Sequence, residues 1–336
     1  MRIALDAMGG DDAPRSTVQG AVLAAASGFQ ILLVGDEAVL REEVSVIGGL
    51  PPNVHVHHAP DFVEMEDAPG HSLRRKTDSS LRVAFELVCG GQADAVVTMG
   101  NTGAALAMGM FVAGRLDGVL RPAVAGLVPH EDRPVVLLDV GATVDCKPEH
   151  LHQFAKMGSA LSRTAFGIAQ PEVAILCNGT ELEKGTELTR EAAARISADP
   201  SLEFSGYLEP AGVLSGNAAV VVTDGWTGNL FIKTAEATVA HITAALGDAA
   251  RTGVLAKTGA LLLKPSLEKN LSHLDGSVAS GGLLLGIESY ALIGHGSADA
   301  QTVANTLCFA ARVVDSGLQD ELRRCLGEPT TTVKQG

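Results

Sequence analysis

Short, continuous apolar runs rich in β-branched residues alternate with alanine-rich stretches of helical period along most of this chain. That alternation restricts the fold more than any single motif does. The runs Arg2–Leu5, Ile31–Val34, Val54–His57, Ala95–Thr98, Val135–Asp139, Val173–Leu176 and Ala219–Thr223 suit parallel strands covered on both faces. Helices are predicted over Pro14–Ser27, Ser79–Cys89, Thr102–Gly114, Pro148–Arg163, Glu187–Ser197 and Gly228–Leu246. Pro14 and Pro148 fall where a helix begins and a missing N–H is harmless. The expectation is an α/β protein, a three-layer α/β/α sandwich with a mostly parallel sheet. No repeat or low-complexity linker divides the chain, so residues 1–327 read as one domain and 328–336 as a loose tail.

Composition narrows the classes of function. The 25 basic and 39 acidic residues leave a net charge of −14, which excludes a surface that binds nucleic acid as a whole. Aromatics at 4% leave little for base or sugar stacking. Cys89, Cys146, Cys177, Cys308 and Cys325 form no C-x-x-C pair, a pattern that fits a reduced cytoplasmic protein without structural zinc. Met1–Met8 reads as a strand and not as a signal peptide. Ala95–Gly114 runs 20 residues without a charge, the length of a membrane span. Gly100-Asn101-Thr102-Gly103 interrupts it with turn chemistry, so it reads as a buried strand, a turn and a buried helix.

Polar, glycine-containing motifs follow the predicted strands: Asp6–Asp11, Gly100–Gly103, Asp139–Asp145, Asn178–Glu181 and Thr223–Asn229. Ligands of open α/β sheets bind beyond the carboxyl ends of strands, so one crevice along one sheet edge is expected. Gly100–Gly103 and Thr223–Asn229 each open a helix, where free N–H groups and the helix dipole favour an anion or make only a tight turn. The dinucleotide, P-loop, zincin and nucleophile-elbow fingerprints are absent. Lys147, Lys184 and Lys233 stand in apolar or glycine-rich context, and Lys233 lies one turn beyond Asn229. A lysine there can neutralise phosphate or a developing oxyanion. Asp224 and His295, the latter after the apolar strand Tyr290–Ile293, are candidates for orienting a lysine or handling a proton. Arg74-Arg75-Lys76 is the one dense basic cluster, set in the long stretch Pro60–Asp78, and reads as a solvated loop or as an attraction point for an acidic partner. In the last predicted helix Phe231, Ala235, Val239, Ile242 and Leu246 form an apolar stripe, for the core or for a partner helix.

Taken in order, these motifs resemble the phosphate acyltransferase of bacterial phospholipid synthesis, the acyl-carrier-protein:phosphate transacylase. The resemblance runs from Asp6–Asp11 through Arg74–Lys76, Gly100–Gly103, Leu138–Gly141, Asp145–His150, Lys184–Glu187 and Val222–Asn229 to His295-Gly296-Ser297. Asp12 stands where that family often has His, Trp226 where Phe is usual, and Asn178-Gly179 where Val-Gly is commoner. The resemblance implies a sandwich related to phosphate acetyltransferases and isocitrate dehydrogenases, and transfer of a fatty acyl group from acyl carrier protein to inorganic phosphate. Short-chain phosphate acetyl transfer from coenzyme A, or a non-catalytic scaffold holding the carrier at the membrane, are the alternatives. No cofactor and no metal are expected. Lys184, Asn229, Asp224, Lys233 and His295 are the expected catalytic residues, with Asn101, Thr102, Gly103, Thr227 and Gly228 around phosphate and Arg74, Arg75 and Lys76 docking the carrier. The resemblance also implies a protruding helical hairpin over about 228–274, pairing across a homodimer. Its tip, with Val254, Leu255, Leu261 and Leu262, would touch the inner face of the cell membrane, making a cytoplasmic protein peripherally attached.

Overall fold

The computed structural model describes residues 1–131, 133–271 and 281–327. Their strands, in chain order, are β1 (Arg2–Asp6), β2 (Gln30–Gly35), β3 (Val54–His58), β4 (Ala95–Thr98), β5 (Ala123–Val128), β6 (Val135–Leu138), β7 (Glu172–Leu176), β8 (Glu203–Leu208), β9 (Val220–Val222), β10 (Gly282–Leu285) and β11 (Tyr290–Ile293). The helices are α1 (Arg15–Ala24), α2 (Glu37–Ile47), α3 (Pro69–Arg75), α4 (Ser80–Cys89), α5 (Thr102–Met108), α6 (Pro148–Phe166), α7 (Glu187–Ser197), α8 (Pro210–Leu214), α9 (Gly225–Ala249), α10 (Val254–Leu271), α11 (Ala300–Asp315) and α12 (Leu318–Leu326). One sheet takes all the strands in the order β3-β2-β1-β4-β11-β10-β5-β6-β9-β7-β8. Strand chemistry matches position. β4, β5, β6 and β9 are buried throughout and central, whereas the histidine-rich β3 and the polar, glycine-containing β8 close the two edges.

Pairing is mostly parallel, with three antiparallel ladders in the middle of the sheet. β1, β4 and β11 run together, β10 pairs antiparallel with both β11 and β5, and β5 pairs antiparallel with β6. β6, β9, β7 and β8 are parallel to one another and therefore opposed to β1. The strand-end motifs thus divide between two edges. This corrects the expectation of a crevice along one edge: Asp6, Gly100 and His295 follow strands of one direction, Asp139, Lys184 and Asp224 strands of the other.

The two faces differ as well. One carries a continuous apolar cluster under α1, α6, α7, α11 and α12, including Val18, Phe154, Ile196, Val303 and Leu322. The other face splits into a cluster under α4 and α5 and a smaller one under α8 and α9. Val140 packs against both clusters and marks the seam. It fits because β5 has Gly126 there, where a Cβ would lie 3.1 Å from the Val140 side chain.

α9 carries Phe231 and Ile232 against this smaller cluster, and its own buried residues are Gly225 and Gly228. Val239, Ile242 and Leu246 are exposed, so the core does not cover the outer part of the stripe. Val254, Leu255, Leu261 and Leu262 on α10 are between 71% and 91% exposed. No helix among the described residues is long and apolar enough to cross a membrane. Residues 272–274 of the expected hairpin and the tail 328–336 lie outside the described residues.

Candidate active site

Each half of the sheet anchors its loops on a buried aspartate. Asp6, at the end of β1, accepts hydrogen bonds from Ser80 Oγ (2.6 Å), Thr98 Oγ1 (2.7 Å) and the Met8 N–H (3.3 Å). Thr98 Oγ1 in turn accepts from the Gly100 N–H at 2.9 Å, which ties the loops after β1 and β4 together. Asp139 follows β6. Its Oδ1 accepts from the N–H groups of Val124, Gly141 and Ala142 at 3.0–3.1 Å, and its Oδ2 from that of Thr143 at 2.6 Å. Burial pushes both carboxyls above their ordinary value, against these hydrogen bonds.

α9 starts on top of the Asp139 loop. A Cβ at Gly228 would collide with the Asp139 carbonyl oxygen, so only glycine lets the first turn settle there. Asp224 caps the helix, accepting from Thr227 N–H (2.9 Å) and Oγ1 (2.7 Å), and the Gly228 N–H donates to the Asp224 carbonyl at 2.9 Å. The donors expected from Thr227 and Gly228 are therefore engaged within the turn. Besides Trp226 and Leu230, this end of α9 presents outward Asn229, whose side chain lies over Gly141, and Lys233.

Asn101 is also used for construction. Its Oδ1 accepts from the Ala104 N–H at 3.0 Å, and Nδ2 donates to the carbonyls of Glu64, Met65 and Asp67 at 2.9–3.2 Å. It pins the excursion between β3 and α4 to the start of α5, next to Thr102 and Gly103, and Pro69 lies against Gly103. The basic cluster divides likewise. Lys76 pairs with Asp67 at 2.6 Å and donates to the Phe62 carbonyl at 2.8 Å, while Arg74 and Arg75 stay exposed.

Lys184 stands exposed after β7, on the same edge as Asp224, with Gly179 tight against its aliphatic stem. Lys233 reaches the other half of the sheet. Its Nζ lies 3.4 Å from His295 Nδ1 and 3.4 Å from Glu236 Oε2, and Glu236 Oε1 lies 3.0 Å from His295 Nε2. Burial would raise the Glu236 carboxyl, but the His295 hydrogen bond and the Lys233 charge hold it below its ordinary value. Glu236 escaped the sequence reading; its one signal is its place one turn from Lys233 on the same helix face. Cys146, beside this site, is inert: burial pushes its thiol up to about 12, with Asp139 and Asp224 adding to the rise and a Gly225 backbone hydrogen bond opposing it.

The site offers exposed cationic and amide side chains at a seam between two half-sheets, chemistry suited to holding an anion. The fold is shared with solved phosphotransacetylases. That of Staphylococcus aureus (EutD) superposes with a TM-score of 0.60 at 18% identity, covering 93% of each chain. That of Streptococcus pyogenes gives 0.59 at 16%, covering 94% of each. A 4-hydroxythreonine-4-phosphate dehydrogenase from Klebsiella pneumoniae, at 0.56 and 16% identity, covers 94% of this chain and 99% of its own, so the same fold hosts a second chemistry. Sequence relatives are more specific. The phosphate acyltransferase of Myxococcus xanthus is 46% identical over 335 residues, 97% of this chain and 94% of that one. That of Anaeromyxobacter sp. is 44% identical, covering 99% and 93%. The fatty acid synthesis protein family matches residues 1–321, and the chain belongs to this family of phosphate acyltransferases.

Proposed function

We propose that the chain moves a fatty acyl group from the thioester of acyl carrier protein to inorganic phosphate, releasing acyl phosphate for phospholipid synthesis. The observation that carries this reading is the near end-to-end match to phosphate acyltransferases. The geometry supports it. Phosphate is itself the nucleophile and the thiolate a good leaving group, so the chemistry asks for placement and charge. Asn229 and Lys233 supply a donor and a cation one turn apart, and Lys184 stands on the same edge as Asn229. Asp224 shapes the turn that presents Asn229, and Asn101 holds the start of α5 in place.

The same reading gives the exposed surfaces their roles. Arg74 and Arg75 attract the acidic carrier protein, with Lys76 fixing their loop. At physiological salt, charge beyond about 8 Å is screened, so this local patch outweighs the net charge of −14. The uncovered stripe Val239, Ile242 and Leu246 pairs with a second copy as a homodimer. Val254, Leu255, Leu261 and Leu262 dip into the lipid boundary, with Lys257 and Lys264 near the headgroups, as reversible attachment to the cytoplasmic side of the membrane.

The test is phosphate-dependent loss of the thioester from long-chain acyl carrier protein by the purified protein, with acetyl-coenzyme A as the rival substrate. Asn229→Ala and Lys184→Ala are expected to lower turnover by about 10²-fold with circular dichroism unchanged. Preference for acetyl-coenzyme A would overturn the carrier assignment, and near-normal turnover in both variants would remove these residues from the site.

A further inference from the structure

Lys233, Glu236 and His295 form a closed triangle that joins the two halves of the sheet. Glu236 Oε1 is 3.0 Å from His295 Nε2, Glu236 Oε2 is 3.4 Å from Lys233 Nζ, and Lys233 Nζ is 3.4 Å from His295 Nδ1. The Lys233–Glu236 pair alone would be an ordinary, weak pair on an exposed helix. The imidazole changes its meaning, because it arrives from the loop after β11, 62 residues further along the chain than Lys233. An ionised carboxylate only accepts hydrogen bonds. His295 must then carry its proton on Nε2, which leaves Nδ1 bare and facing the ammonium. Lys233 has three N–H groups; one is directed at Glu236, and the one resting on Nδ1 turns to an incoming anion, which frees the single lone pair of that nitrogen.

We propose that Glu236 is a positioning residue, fixing His295 in the Nε2–H tautomer so that the bare Nδ1 relays the proton of phosphate to the departing thiolate. This rests on the acyl-transfer reading above. An oxygen of monohydrogen phosphate attacks the thioester carbonyl, forming a C–O bond, and the C–S bond breaks. The remaining P–O–H proton passes to Nδ1 and from there to the thiolate sulfur. The products are acyl phosphate and a free thiol, with no proton gained or lost overall. While the imidazole is doubly protonated, Glu236 balances its charge, the part a carboxylate plays behind histidine in hydrolytic triads. Lys233 holds the phosphate.

The experiment compares Glu236→Gln and Glu236→Asp with the unaltered protein, measuring kcat and the KM for phosphate separately, and reads the His295 tautomer from imidazole ¹⁵N shifts. The unaltered protein is expected to show the Nε2–H form. Glu236→Gln should lose that signature and about 10²-fold in kcat, the usual scale of a proton-transfer group, with a smaller change in KM. Glu236→Asp should recover part of both. An Nδ1–H imidazole in the unaltered protein overturns the proposal, as does a Glu236→Gln variant whose loss lies wholly in KM. If Glu236→Gln fails to fold, the tautomer of the unaltered protein decides. Absence of any turnover by the unaltered protein would instead overturn the acyl-transfer reading and the proton route with it, while the tautomer would still decide whether Glu236 positions His295.

Discussion

The two buried aspartates solve one problem with different partners. Asp6 is held largely by hydroxyls, those of Ser80 and Thr98, whereas Asp139 is held by four backbone N–H groups. A hydroxyl can rotate and turn from donor to acceptor; a backbone amide cannot. The Asp6 junction is therefore adaptable and the Asp139 junction committed to a negative or accepting group. The committed junction lies directly beneath the first turn of α9, where Asn229 projects. The adaptable one lies beneath the loops next to His295, where Asp11 donates its N–H to the Gly296 carbonyl at 2.8 Å.

This contrast sets an order of mutational effects. Gly228→Ala is expected to be the most damaging, because its Cβ meets a backbone oxygen of the Asp139 loop and nothing flexible can give way. A loss of about 4 kcal/mol or more, or no soluble protein, should appear in urea unfolding. Asp139→Asn should cost about 3 kcal/mol, since one of its amide hydrogens would be aimed at the Thr143 N–H. Asp6→Asn should cost only about 1 kcal/mol: Oδ1 keeps Ser80 and Met8, and Thr98 Oγ1 can accept from the new amide. Equal losses in the two aspartate variants would show that partner type does not matter here.

The smallest effect concerns pH. The Asp6 carboxyl is raised in the folded protein, so the folded state binds its proton more readily than the unfolded state does, where the value is about 3.9. Its titration therefore adds stability below that unfolded value and loses it as pH rises through the folded one. The stability difference between the unaltered protein and Asp6→Asn should be largest in acid and shrink as pH rises. A difference that grows with pH would mean that the hydrogen bonds outweigh burial.

The layers of the sandwich were legible because a strand covered on both faces has to be apolar throughout, as Ala95–Thr98 and Val173–Leu176 are. Strand direction was not. Ala123–Val128 and Gly282–Leu285 are as apolar as their parallel neighbours, and nothing in a covered run says which way its partner points. Missing those two strands is what placed every motif on one edge. Glu203–Leu208 escaped for the opposite reason, being a polar edge strand. At the site, Lys184, Asn229 and Lys233 were conspicuous as polar groups in glycine-rich surroundings. Glu236 was not, because an acid on an exposed helix gains its meaning only from a histidine brought in by another strand. The use of Asn101 as a pin was equally hidden, since its partners are backbone carbonyls of a loop without regular structure.

The order of strands has a consequence for how the chain is made. β10 and β11 come from residues 282–293, yet they sit in the middle of the sheet, between β4 and β5. Everything before them can emerge from the ribosome and assemble as two half-sheets, one ending at β4 and the other at β5, each with an open, wholly apolar edge. The last strands to be synthesised act as a wedge that closes both edges at once and brings His295 to Lys233. Until that wedge is in place the chain has two unpaired apolar borders and no assembled site, and it is then most open to association with other chains.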